Sequence, residues 1–167
     1  MSCHSGTHLD VPFHFYADGK TLDDFQVTDF IRRVHVIEIM DPDKITASEV
    51  DWSLISPGEG VLFKTRNSRD GLVRSGKFVS DFVYLSQDAA KKVNECKAAL
   101  VGIDYITIEQ FGVEHFHSHL EVLGQGVFVL EAINLEGISE GVYTLMCLPL
   151  KLSGADASPV RAILIEN

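Results

Sequence analysis

Residues 4 to 14, His-Ser-Gly-Thr-His-Leu-Asp-Val-Pro-Phe-His, constrain the fold of this chain more than any other stretch. Three histidines and an aspartate fall within eleven residues, all at even-numbered positions. Successive side chains of an extended segment point to opposite faces, so His4, His8, Asp10 and His14 can converge on one side. Imidazole and carboxylate together make a zinc- or manganese-type ligand set. A straight strand would hold the His4 and His8 backbones about 13 Å apart, the limit of what two imidazoles can bridge to one ion. The chain must therefore curl between them. Gly6 supplies permissive backbone for the bend, and Pro12 forbids a regular ladder beyond Asp10. The same two residues disfavour the rival arrangement, a helix with His4 and His8 one turn apart.

Further along, Arg33 to Met40 alternates and is rich in β-branched residues, which predicts a half-buried strand in which His35 is structural. Thr46 with Glu49 resembles a capping box for a short helix that Ser56-Pro57-Gly58 closes, and Gly60 to Thr65 is the next strand. The polar stretch Asn67 to Lys77, with Gly71 and Gly76, reads as a surface loop. Ser86 is placed to cap a helix running through about Ala98, and Ala99 to Ile103 is an apolar strand buried on both faces. A second helix is expected from about Val113 to Leu123, stopped by Gly124 and Gly126. Gly126 to Ala132, Gly141 to Leu150 and Val160 to Ile165 complete the β content. Strands outnumber helices without strictly alternating with them, so the expected fold is mixed α/β, a mixed sheet with a few covering helices.

With 167 residues, 46% of them hydrophobic, the chain can build one domain with a real core. A formal net charge of −10 argues against non-specific binding to nucleic acid or anionic membrane, both of which rely on excess Lys and Arg. Cys3, Cys96 and Cys147 are odd in number and widely spaced, which suits free thiols in a reducing compartment. No signal-peptide pattern and no apolar run of membrane-spanning length is present, so a cytoplasmic location is expected.

Two features of the second half bear on the metal set. Glu131 sits in Val127-Phe128-Val129-Leu130-Glu131-Ala132-Ile133, where an unpaired carboxylate is costly to bury. Either it reaches solvent or an arginine at the strand end, or it meets a cation. His115, His117 and His119 are spaced by two, so on a helix only one or two of them can face the same way. His115 and His117 read as solvated surface. A buried carboxylate and one histidine would supply the remaining ligands of a site that His4, His8 and Asp10 begin.

These residues resemble a known family, the metal-dependent cyclase-like hydrolases of the kynurenine formamidase and isatin hydrolase kind. Its H-x-G-T-H-x-D-x-P-x-H signature is met at every fixed position by residues 4 to 14. Gly102-Ile103-Asp104 is similar to the family's GxD strand end, and His119 to Glu131 reproduces its H-x11-E spacing. Leu148 to Leu152 and Ser158 to Arg161 look like its C-terminal strands. The resemblance implies a compact swivelling β/β/α domain over 1–167, without the segment that usually precedes the histidine motif, assembled as a homodimer or homotetramer. It also implies one or two divalent ions, zinc first and manganese as the alternative. One ion would be held by His4, His8 and Asp10, and a second by His119 with Asp10 and Glu131 bridging. His14 would be the acid/base residue. The implied reaction is hydrolysis of a formamide, lactam or lactone in a small aromatic molecule. The rival expectations are a catalytically silent metal- or ligand-binding member, and a cyclase or dehydratase.

Overall fold

In the computed structural model, which describes residues 1–166, an eight-stranded sheet organises the chain. Its centre is four parallel strands, β2 (Ile31–Glu38), β4 (Gly60–Lys64), β6 (Leu100–Ile103) and β7 (Phe128–Glu131), paired in that order. On one side β8 (Gly141–Met146) runs antiparallel to β2, and β10 (Ile163–Glu166) antiparallel to β8. On the other side β1 (His8–Asp10) runs antiparallel to β7, and β9 (Ala157–Pro159) antiparallel to β1. A small parallel pair, β3 (Lys44–Ile45) and β5 (Tyr84–Leu85), lies apart. The mixed sheet with few helices is the architecture expected from the sequence.

Alternation along the central strands splits the core in two. Val61, Phe63, Val101, Ile103 and Val129 face one side, where α2 (Gln87–Glu95) and α3 (His117–Leu123) cover them. Leu62, Leu100, Phe128 and Leu130 face the other, against Leu9, Leu22 and Phe30. Every residue of β6 and β7 is buried, as strands enclosed on both faces require. Helix α2 starts where Ser86 Oγ accepts from the Ala89 N–H, and it buries Ala89, Ala90 and Val93 on one stripe. Gly102 lets β4 and β6 pack closely, because a Cβ there would lie 2.5 Å from Leu62 Cδ2.

Several elements differ from expectation in extent. The helix foreseen after Thr46 is two 3-10 turns, Ala47–Glu49 and Trp52–Leu54, the first carrying the anticipated Thr46/Glu49 capping box. The segment read as a loop from Asn67 contains α1 (Arg66–Arg69) and a 3-10 turn, Val73–Ser75. Asn67 and Ser68 are buried there because Asp104, at the end of β6, accepts from the Thr65, Ser68 and Asn67 donors. Helix α3 begins at His117, four residues later than its pattern suggested. The three cysteines are free. No helix among the described residues is long and apolar enough to cross a membrane.

Candidate metal centre

The histidine-rich segment is extended only over β1. Its register with β7 sets His8 opposite Glu131 and Asp10 opposite Val129, so the side chains of His8, Asp10 and Glu131 share the helix-covered face. A turn at Gly6, with φ +64°, brings His4 back over β1, and a 3-10 turn at Pro12–His14 redirects His14. The anticipated curl is thus made at the anticipated glycine. Thr7 Oγ1 fixes the turn by donating to the Ala132 carbonyl at 2.7 Å. Ala132 itself holds φ +54°, unusual for a residue with a side chain, and turns the chain out of the sheet directly after Glu131.

Opposite β1, α3 delivers His119. Its Nε2 is 3.2 Å from Glu131 Oε1, and Glu131 also accepts the Ile108 N–H at 2.7 Å. Three donor groups among the described residues lie close enough to hold an ion: His4 with His8 and Asp10, Asp10 with His119 and Glu131, and the less buried His4 with His14 and Asp156. Asp10 belongs to the first two, which are the buried ones. His115 and His117 are exposed on the outer side of α3 and its approach, with their rings beside one another.

Protons and lone pairs make the chemistry of this cluster legible. His8 Nδ1 donates to the Gly6 carbonyl at 2.8 Å, which leaves Nε2 facing Glu131 Oε2 at 3.2 Å and Asp10 Oδ1 at 3.5 Å. His119 Nδ1 donates to Glu109 Oε2 at 3.2 Å, which leaves Nε2 facing Glu131. His4 Nε2 donates to Asp156 Oδ2 at 3.1 Å, which leaves Nδ1 3.0 Å from Asp10 Oδ1. In each neutral ring the remaining nitrogen is a lone pair aimed at a carboxylate. Two like-signed partners at that range repel unless a cation lies among them. Both oxygens of Asp10 are buried, and neither has a hydrogen bond of acceptable direction despite the nearby imidazoles. The donor set therefore fits a divalent metal, with one nitrogen of each ring anchored by an outer acceptor, as metal-binding histidines usually are.

With protons in place of a metal, the same crowding perturbs titration. The nearness of Asp10, opposed by burial and aided by Asp156, pushes His4 up to about 9. Burial works against charge on His119, but Glu109 and Glu131 outweigh it and raise that ring to about 9 as well. Burial likewise pulls the Glu131 carboxyl upward, yet His119 and His8 overcome it and hold the group well below the usual carboxylate range.

Two residues absent from the sequence reading complete the arrangement. Glu109 is buried and accepts from the Ser118 and His119 backbone N–H groups as well as from the His119 ring, and so sets both the start of α3 and the angle of its histidine. Asp156 precedes β9 and accepts from His4 and from His14, whose Nδ1 is 3.0 Å away. A carboxylate in a Gly-Ala-Asp-Ala-Ser-Pro turn was the available sign for Asp156, whereas nothing local distinguishes Glu109. Asp104, singled out in the GxD strand end, lies outside the cluster and organises α1.

Comparison with known proteins gives a consistent picture. Residues 1–110 match the family model described as "Putative cyclase". The chain is 31% identical over 164 residues to a kynurenine formamidase of Bacillus thuringiensis (strain Al Hakam), covering 98% of this chain and 77% of that protein. A solved structure described as a potential metal-dependent hydrolase with cyclase activity superposes with a TM-score of 0.88 at 32% identity, over 98% of this chain and 79% of the other. An isatin hydrolase bound to the product analogue thioisatinate gives a TM-score of 0.80 at 26% identity, over 98% of this chain and 72% of the other.

Proposed function

The chain belongs to the cyclase family of metal-dependent hydrolases, and from that premise we propose that it opens a C–N bond other than a peptide bond, in a formamide or lactam of a small aromatic molecule. The observation that carries this reading is the convergence of three imidazole nitrogens on two buried carboxylates, of which Asp10 has no aligned donor on either oxygen, a set that suits a divalent cation and that extra ring protons balance in its absence. Zinc is the ion assigned, since neutral imidazoles with carboxylates suit it, with manganese as the alternative. His4, His8 and Asp10 would hold one ion, and His119 with Asp10 and Glu131 a second. A divalent ion so held polarises the substrate carbonyl and acidifies water.

The remaining chemistry belongs to the protein. His14 stands beside this set, its ring centre 4.2 Å from that of His4 and 6.2 Å from that of His119. Unlike the other three rings, it faces no second carboxylate, so its Nε2 is free to take a proton from the nucleophile and return it to the leaving nitrogen. Phe15 stacks on His119 at 4.9 Å, and the half-exposed Phe116 meets Phe15 at 5.5 Å. These two rings form an apolar wall next to the donors, the kind of surface against which an aromatic substrate packs. The kynurenine and isatin chemistries named for the relatives both fit such a wall.

The location we assign is cytoplasmic, which the three free thiols suit. The assembly we assign is a homodimer or homotetramer, and light scattering of the purified chain should return twice or four times 18.5 kDa. The activity is tested by loading the protein with zinc or manganese, counting metal per chain by elemental analysis, and assaying formylkynurenine and isatin. One to two ions per chain with hydrolysis of either compound is the expected result. Full loading without turnover of any formamide, lactam or ester would overturn the proposal.

A further inference from the structure

We propose that Asp156 is the positioning residue for His14, fixing its imidazole with the proton on Nδ1 and the lone pair on Nε2; the inference rests on the acid/base reading of His14. Asp156 Oδ2 is 3.0 Å from His14 Nδ1 and 3.1 Å from His4 Nε2, and both contacts have hydrogen-bond geometry. Asp10 behaves differently, because its oxygens stand as close to an imidazole nitrogen without any aligned donor. The two aspartates thus divide the work. Asp10 presents oxygens to a cation, and Asp156 presents one oxygen to two N–H groups.

The consequence differs for the two rings. His4 has its other nitrogen against Asp10, so its bond to Asp156 anchors a prospective metal donor. The Nε2 of His14 meets no partner among the described residues, so its bond to Asp156 determines which nitrogen can accept a proton. Placement is equally dictated. Asp156 lies next to β9, whose Ala157 and Ser158 pair with Asp10 and Leu9, and its carbonyl accepts the Val11 N–H at 3.0 Å. The carboxylate is therefore held by backbone pairing one residue away from the turn that carries His14. A carboxylate in this position selects one tautomer of an imidazole and holds its plane, which is a rate effect more than a binding effect.

The test uses the full chain, zinc-loaded and labelled with nitrogen-15. Long-range proton–nitrogen correlation spectra at fixed pH report the tautomer of each ring, and the His14 signals are assigned by their loss in His14→Gln. The expected spectrum shows a protonated Nδ1 and a bare Nε2 for His14. Asp156→Ala should replace it with a mixture of tautomers, and kcat should fall by ~10- to 100-fold, the range typical of such outer partners, with KM changed much less. Asp156→Asn, which retains an acceptor oxygen, should restore the Nδ1–H form and part of kcat. An Nε2–H tautomer in the unmodified chain, or a His14 signature unaltered in Asp156→Ala, overturns the proposal whatever the activity. Full activity in His14→Gln, with the tautomer still dependent on Asp156, would leave the placement standing and remove the acid/base role of His14 instead.

Discussion

At the scale of single residues, the histidines separate by what each nitrogen faces. His119 points one nitrogen at Glu109 and the other at Glu131, both buried, whereas His115 and His117 face solvent a few residues away. His119→Ala and Glu131→Ala should therefore each reduce bound metal, and His115→Ala and His117→Ala should leave it unchanged, as measured by elemental analysis after gel filtration. Equal loss in all four variants would refute the ligand assignment. Part of this cluster was legible in the chain itself: the cost of burying Glu131 is a local property, and alternation places His8 and Asp10 on one face. His4 and His14, however, join them through turns at Gly6 and Pro12–His14 and not through period-two spacing. The outer carboxylates were not legible. Glu109 and Asp156 gain their roles only from contacts with His119, His4 and His14, which lie between 10 and 152 residues away in sequence.

At the scale of elements, strands with continuous apolar or alternating runs were readable, and short structures stabilised by distant polar groups were not. β6 and α2 follow directly from Leu100-Val101-Gly102-Ile103 and from Ser86 before Ala89, Ala90 and Val93. Helix α1 had no such signature, because what orders it is Asp104, more than thirty residues later. That carboxylate accepts from Thr65 N at 2.7 Å, Thr65 Oγ1 at 2.8 Å, Ser68 N at 3.0 Å and Asn67 Nδ2 at 3.3 Å. Thr65 Oγ1 in turn accepts the Asn67 N–H as the helix cap. Asp104→Ala would leave these buried donors unpaired, and losing the acceptor of one charged network costs about 3 kcal/mol. Urea denaturation should show that loss, with Asp104→Asn less damaging because one acceptor oxygen persists. A midpoint within error of the unsubstituted chain would mean that α1 is ordered by something else. β1 is legible only in part for a related reason: three residues pair, and the turns on either side follow from Gly6 and Pro12.

At the scale of the whole molecule, the topology gathers prospective metal donors from the first ten residues, from α3 and from β7 onto one end of the sheet, with His14 and Asp156 beside them. A bound ion therefore ties together parts of the chain far apart in sequence, and anything that binds only the folded form raises its stability. Chelation should lower the melting temperature, and the size of the drop should depend on pH in a predictable direction. In the metal-free protein protons take the cation's place. His4 and His119, both raised from about 6.5 to about 9, contribute stability that is complete below their unfolded value and is lost as pH rises through about 9. Glu131, depressed below 4.5, contributes stability that is complete above its unfolded value and is lost only in strong acid. The chelated protein should thus be steadiest between about pH 4.5 and 6.5 and weaken toward pH 9. Metal binding runs the other way, because the imidazoles must shed their protons before they can coordinate. The gap in melting temperature between metal-loaded and chelated protein should accordingly widen from pH 6 to pH 9 in paired thermal scans. A gap that stays constant or narrows over that interval would mean that the ion does not compete with protons on these histidines, and that it binds elsewhere.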